Sequence, residues 1–174
     1  MAFLAQLRLD EIKAAFPASR LPASGLLVVF ADIEADTGAP NSAHVEVAPS
    51  EALRRMAWPP ELAEEIRYEP SLAVAEPSLS VSDWPGLKAH ASEGAVSKFR
   101  ELIAQPGPDH RLFGHPSSIQ GHGSPAGYEL LLQLDSDPMT GMTFGDGGRL
   151  HVWCAIDARW SGEIANCEID LDSY

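Results

Sequence analysis

The chain has 174 residues, 45% of them apolar and 21% charged, an ordinary globular composition with enough length for one core. Twenty-five acidic residues against twelve basic ones give a net charge of −13, and Arg54-Arg55 is the one adjacent basic pair. A nucleic-acid backbone needs clustered cations and an anionic lipid surface repels acids, so no nucleic acid and no membrane is expected as a partner. A basic protein or a cation fits that charge.

The opening MAFLAQLRLDEIK lacks the cationic start of a signal peptide, and no apolar run has the length of a membrane helix. Phe3 to Leu9 alternates as a strand does, and a helical turn is expected over Asp10 to Phe16 before Pro17. After the turn residues Pro22-Ala23-Ser24-Gly25, the apolar run Leu26 to Phe30 reads as a buried strand. Asp32 to Asn41 is an acidic loop, and His44 to Ala48 alternates as a strand. Ser50 is placed to cap a short helix, Glu51 to Ala57, which Pro59-Pro60 stops. Residues 61–85 are proline-rich and patchy, which predicts short strands and loops. Between Lys88 and Ala104, the residues Ala95, Phe99, Leu102 and Ile103 share one helical face, and Gln105-Pro106-Gly107-Pro108 ends the helix.

His110 to Gln120 has loop composition. Tyr128 to Leu134, Leu150 to Ile156 and Ile164 to Leu171 read as strands, with Gly145-Asp146-Gly147-Gly148 turning before the second. Cys154 and Cys167 form no framework, so a reducing cytoplasm is the expected compartment.

Two stretches repeat. Phe3-Leu4-Ala5-Gln6-Leu7 matches Leu130-Leu131-Leu132-Gln133-Leu134, and Gly25-Leu26-Leu27-Val28-Val29-Phe30 matches Gly148-Arg149-Leu150-His151-Val152-Trp153. The pattern predicts two related halves whose central strands pair about a pseudo-twofold axis. A buried amide must find hydrogen-bond partners, so Gln6 and Gln133, with Gly148, are expected to be structural.

The polar residues gather in the second half: His110, His115 and His122 within thirteen residues, then Asp135, Asp137, Asp146 and His151. Imidazoles with carboxylates suit a divalent ion, yet the spacing fits no metal motif, and no cofactor is expected. Asp135-Ser136-Asp137 starts like a calcium loop but lacks its glycine and distal glutamate. Aspartates in such places cap turns. The GDGG stretch has no following lysine, so it is no phosphate loop, and no GxSxG elbow exists. His151 and Cys154, three apart in one strand, face opposite sides. Trp84, Trp153 and Trp160 suit a core as well as a groove.

FLAQL, LPASGLLVVF, HRLFGHPSSIQG, LLLQLDSD and FGDGGRLHVW occur in an order that resembles the YwqG-like proteins, a bacterial domain of unknown function. The resemblance runs over roughly residues 3–174 and is weakest over 35–95. It implies an α+β fold with largely antiparallel sheets in a single domain. It brings no reaction, substrate or cofactor, and an immunity-like role is suggested by relatives encoded near toxin systems. Typical relatives carry a further segment before the FLAQL strand; here Met1 sits almost on it. An uncovered edge would invite a homodimer.

The leading expectation is therefore a non-enzymatic module binding a basic protein. The alternative is a small-molecule or metal-dependent enzyme with its site among His110, His115, Gln120, Asp135, Asp137 and Asp146.

Overall fold

The computed structural model describes residues 1–52, 57–80, 89–103, 107–121, 123–158, 160 and 162–174. Its strands are β1 (Ala2–Arg8), β2 (Leu26–Ala31), β3 (Ala43–Ala48), β4 (Arg111–Leu112), β5 (Tyr128–Asp135), β6 (Arg149–Ala155), β7 (Gly162–Ile164) and β8 (Cys167–Asp172). Among the described residues they are accompanied by the helices α1 (Leu9–Ala15) and α2 (Glu93–Ile103). The strands form two antiparallel sheets, in the orders β1-β2-β3-β7 and β4-β5-β6-β8. The fold is α+β.

Alternation places the core. In β3, Ala43 and Val45 point inward while His44 and Glu46 point out; in β2, Leu27, Val29 and Ala31 point inward. On the second sheet Leu132, Leu134, Leu150, Val152 and Ile169 do the same, and all join one apolar cluster with Leu9 and Ile12 of α1. Each such side chain contributes about 1.5–3 kcal/mol when fully buried. The two inner faces thus stabilise each other.

The repeat is written into the backbone. Phe3↔Phe30, Ala5↔Val29, Gln6↔Val28, Leu7↔Leu27 and Arg8↔Leu26 pair in the first hairpin. Leu130↔Trp153, Leu132↔Val152, Gln133↔His151, Leu134↔Leu150 and Asp135↔Arg149 pair in the second. The register shift falls at the same place in both, between Phe3 and Ala5 and between Leu130 and Leu132. A third strand repeats as well: β3 lies beside β2 as β8 lies beside β6, so Val28↔Glu46 matches His151↔Asp170. The glycines correspond too. Gly25 accepts from the Leu9 N–H at 3.1 Å, and Gly148 accepts from the Ser136 N–H at 3.0 Å. A Cβ at Gly25 would meet the Ala48 carbonyl at 2.8 Å, and one at Gly148 the Asp172 carbonyl at 2.3 Å.

The expected pairing between the copies does not occur. Each copy closes on itself as a hairpin in its own sheet, and the copies meet through side chains. The reason is connection length: a hairpin partner nearby in sequence closes at lower entropic cost than one over a hundred residues away.

The C-terminal stretch expected as one strand is two. Asn166, at φ +57°, turns the chain, so β7 extends the first sheet beside β3 while β8 extends the second beside β6. The helix expected from Lys88 starts at Glu93, where Ser92 Oγ accepts the Ala95 N–H at 3.3 Å. A 3-10 turn, Ser50–Ala52, stands where a helix to Ala57 was expected, and 53–56 lie outside the described residues. So do Trp84, Pro106 and His122. Residues 57–80 hold a 3-10 turn, Glu64–Ile66, and no strand among those described.

The cysteines need a correction. Cys154 and Cys167 are cross-strand partners on β6 and β8, buried, with Cα atoms 4.3 Å apart, and they form a disulfide. Two cysteines form no framework by sequence alone, because thirteen residues of separation carry no sign that β7 loops out between them. Their counterparts in the first copy are Ala31 and Ala43, also buried and paired. Closing a loop of this size contributes about 3 kcal/mol. Urea unfolding with and without reductant is expected to differ by about that amount.

Candidate functional site

The outer face of the second sheet carries three cross-strand rows: Asp135–Arg149–Asp172, Gln133–His151–Asp170 and Leu130–Trp153–Glu168. Seven of these nine side chains are polar or charged; Gln133, His151, Asp170 and Asp172 are buried and Asp135, Arg149 and Glu168 half-buried, which is unusual for an outward sheet face. The segment 107–121 crosses the sheet from β5 to β8 over Gln133, Asp135, Arg149 and Asp172.

Backbone amides dock that strap. Gln133 is 0% exposed; its Oε1 accepts the Ser117 N–H at 2.8 Å and its Nε2 donates to the Asp109 carbonyl at 2.8 Å. Asp172, also 0% exposed, accepts the N–H groups of Ile119 at 2.6 Å and Gln120 at 3.0 Å. Asp135 Oδ2 accepts the Asp109 N–H at 2.9 Å. Arg149 donates to the Ser117 carbonyl and spans Asp135 with two bonds of 3.3 Å. Arg111 forks onto Asp109 at 2.8 and 3.0 Å, with Arg149 3.9 Å away on the other side. The alternating charges hold β4, β5 and β6 together.

Protonation follows from burial and these bonds. For Asp172, burial opposes ionisation, but the Ile119 N–H, the Ser118 hydroxyl and the Gln120 N–H outweigh it and keep its carboxyl below the usual range. Asp109 is likewise pushed up by burial yet held low overall by Arg111 and Arg149. Burial drives the His151 imidazole down, against the opposing pull of Asp170 and Asp172. Because Gln133 Oε1 already accepts from Ser117, His151 Nε2, 3.2 Å away, is the donor to it. His151 Nδ1, Trp153 Nε1 and Asp170 Oδ1 are then buried without a hydrogen-bond partner among the described residues. Each such atom costs about 1–3 kcal/mol.

The residues singled out from sequence part company here. His110 Nδ1 accepts the Asp135 N–H at 3.2 Å, which puts the proton on Nε2, 3.5 Å from Asp137. Asp137 Oδ1 caps a turn by accepting the Met139 N–H at 2.8 Å. Gln120 donates to the Ser173 carbonyl at 2.6 Å. His115 is joined through its backbone, its N–H reaching Ser80 Oγ at 3.0 Å. Asp146 is exposed in its turn. Gly148 lies buried against Asp172 and Ser173. The two glutamines are not equivalent: Gln6 is exposed on β1, where none of the described residues bonds across the first sheet, while Gln133 is enclosed. Asp109, Arg111, Arg149 and Asp172 were missed. Arg111 and Asp109 alternate in sequence, which is a weak signal; Asp172 gave none.

A groove of about 680 Å³ runs along the strap, between the end of α1 (Ile12, Phe16) and residues 74–80. His110, Arg111 and His115 line it. Phe113 in its wall takes φ +62°, a strained value for an aromatic, and its ring meets Trp160 edge-on at 5.8 Å. Among the described residues no three His, Cys, Asp or Glu side chains are grouped to hold a metal ion.

The family model for a domain of unknown function (DUF1963) matches residues 1–158. The chain belongs to that family. No curated protein and no solved structure matches it. The matched span takes in the strap, Gln133, Asp135 and Arg149, whereas β8 with Asp172 lies beyond it. No helix among the described residues is long and apolar enough to cross a membrane.

Replacing Asp172 with alanine is expected to cost about 1–3 kcal/mol for each orphaned N–H and to speed hydrogen exchange at Ile119 and Gln120. Acid tests the same network. Asp109 and Asp172 sit below their ordinary value of 3.8, so their stabilisation is whole above that pH and is lost as pH falls through the folded values. His151 sits below 6.5, so its part is whole above pH 6.5 and declines below it, as the unfolded imidazole takes up a proton first. Melting curves across pH should show both declines, the upper one flattened in His151→Gln.

Proposed function

We propose that this DUF1963 domain is a non-enzymatic protein-binding module, immunity-like in kind, that seats a partner segment in the groove beside the strap. The observation that carries this reading is the groove's outer wall. Val74 and Leu79 of that wall are 80% and 87% exposed, and Leu72 just before it is 95% exposed, along a segment with no strand or helix among the described residues. Apolar side chains so exposed and so close together mark an interaction surface. The charge of −13 favours a partner with basic groups around its apolar anchors. Of the polar residues that sequence offered for chemistry, Asp135, His110 and Gln120 are meanwhile engaged in holding the strap. The motif order supports a YwqG-like, bacterial member of the family.

The expected cytoplasmic location takes the cysteines as forming no framework, and the disulfide removes that ground. A compartment that lets Cys154 and Cys167 stay oxidised suits the fold.

A second reading keeps the groove and changes the occupant. His110, Arg111 and His115 give it a cation-capable side, suited to a small acidic molecule. The two are separated by substitution. Val74→Asp with Leu79→Asp is expected to weaken binding of a purified protein partner by about tenfold or more while leaving the melting temperature unchanged. Loss of small-acid binding on His115→Ala, with protein binding unaffected, would instead establish the second reading.

A further inference from the structure

The outer faces of the two sheets are equivalent in register but not in cover. On the second sheet, Leu130–Trp153 and Gln133–His151–Asp170 are buried, and the strap bonds directly to Gln133. The same positions on the first sheet are Phe3–Phe30–His44 and Gln6–Val28–Glu46, the latter row continuing to Glu163 of β7. Here Gln6 and Glu46 are exposed, and Phe3, Val28 and Phe30 are half-buried. Among the described residues nothing hydrogen-bonds to this row from outside its own sheet.

We propose that this uncovered face is a docking surface for a basic segment of a partner protein, laid across β1–β3 and β7 as the strap lies across the second sheet. The inference does not rest on the groove. It rests on the contrast between two faces of one repeat and on the charge of the open one. Phe3 and Phe30 form an aromatic floor, their rings edge-on at 5.5 Å, and His44 extends it at 6.1 Å from Phe30. Glu46 and Glu163 rise beside it, 49% and 73% exposed, with His44 3.9 and 3.6 Å from them. At the other end Arg8 is already engaged by Asp10 at 2.6 Å and Glu11 at 3.2 Å. Four carboxylates thus face one guanidinium over an aromatic surface. Arginine suits such a place, because its planar cation stacks on phenyl rings while its fork reaches carboxylates. A second copy of this chain is disfavoured as occupant, since it would set the same carboxylates against each other.

The test uses the whole protein and a short labelled peptide alternating arginine with valine, beside a counterpart with glutamate for arginine. Amide shifts on titration are expected to centre on β1–β3 and β7, with saturable binding of the arginine peptide alone. Glu46→Lys with Glu163→Lys, both on exposed positions, should weaken it about tenfold or more without changing the melting temperature. Shifts centred instead on Val74, Leu79 and His115 would overturn the inference and leave the groove as the binding site. Unchanged affinity in the double variant, or no saturable binding, would overturn it as well.

Discussion

The buried amide of Gln133 is the point from which the second sheet's outer face is organised. Its two ends are satisfied by strap backbone from Ser117 and Asp109, so neither the strap nor the side chain can leave without orphaning the other. Breaking such a reciprocal arrangement costs more than making it gains, because a buried donor or acceptor left alone carries its full desolvation penalty. Asp172 repeats the device at the far end of the strap, and the Arg149–Asp135 pair closes it in between. A polar sheet face is thereby buried without an apolar layer above it.

This arrangement explains why one repeat produced two different surfaces. The hairpins share register, bulge and the glycine that lets the third strand approach. Those features are backbone geometry and survive large changes in side chains. The second copy has Asp135, Arg149, His151 and Asp172 where the first has Arg8, Leu26, Val28 and Ala48. These groups draw the strap down. The first copy, lacking them, keeps its outer face open, with aromatic rings and carboxylates toward solvent. Function in this fold is more naturally sought on the open surfaces, the groove wall and the first sheet, than among the polar residues already enclosed.

The disulfide belongs to the same logic of ties between distant parts. The loop it closes carries β7 across to the first sheet and returns as β8 in the second, so one covalent bond secures the segment that both sheets share. It stands where the first copy needs only two alanines, since no strand leaves that sheet.

How far the sequence reaches is clear from particular elements. Alternation and β-branched runs placed β2, β3, β5 and β6 within a residue or two, and the repeat of glutamine and glycine located the strands of both copies, because strand period and turn chemistry are local properties. It also directed attention to the half that holds the strap. The partner of each hairpin, the split of the last strand at Asn166, the Cys154–Cys167 bond and the different fates of Gln6 and Gln133 were decided by tertiary structure. Each depends on which backbone amide or strand edge the folded chain brings alongside. Asp172, over fifty residues from the Ile119 and Gln120 amides it accepts, shows why: no local pattern records a contact that exists only once the strap has crossed the sheet.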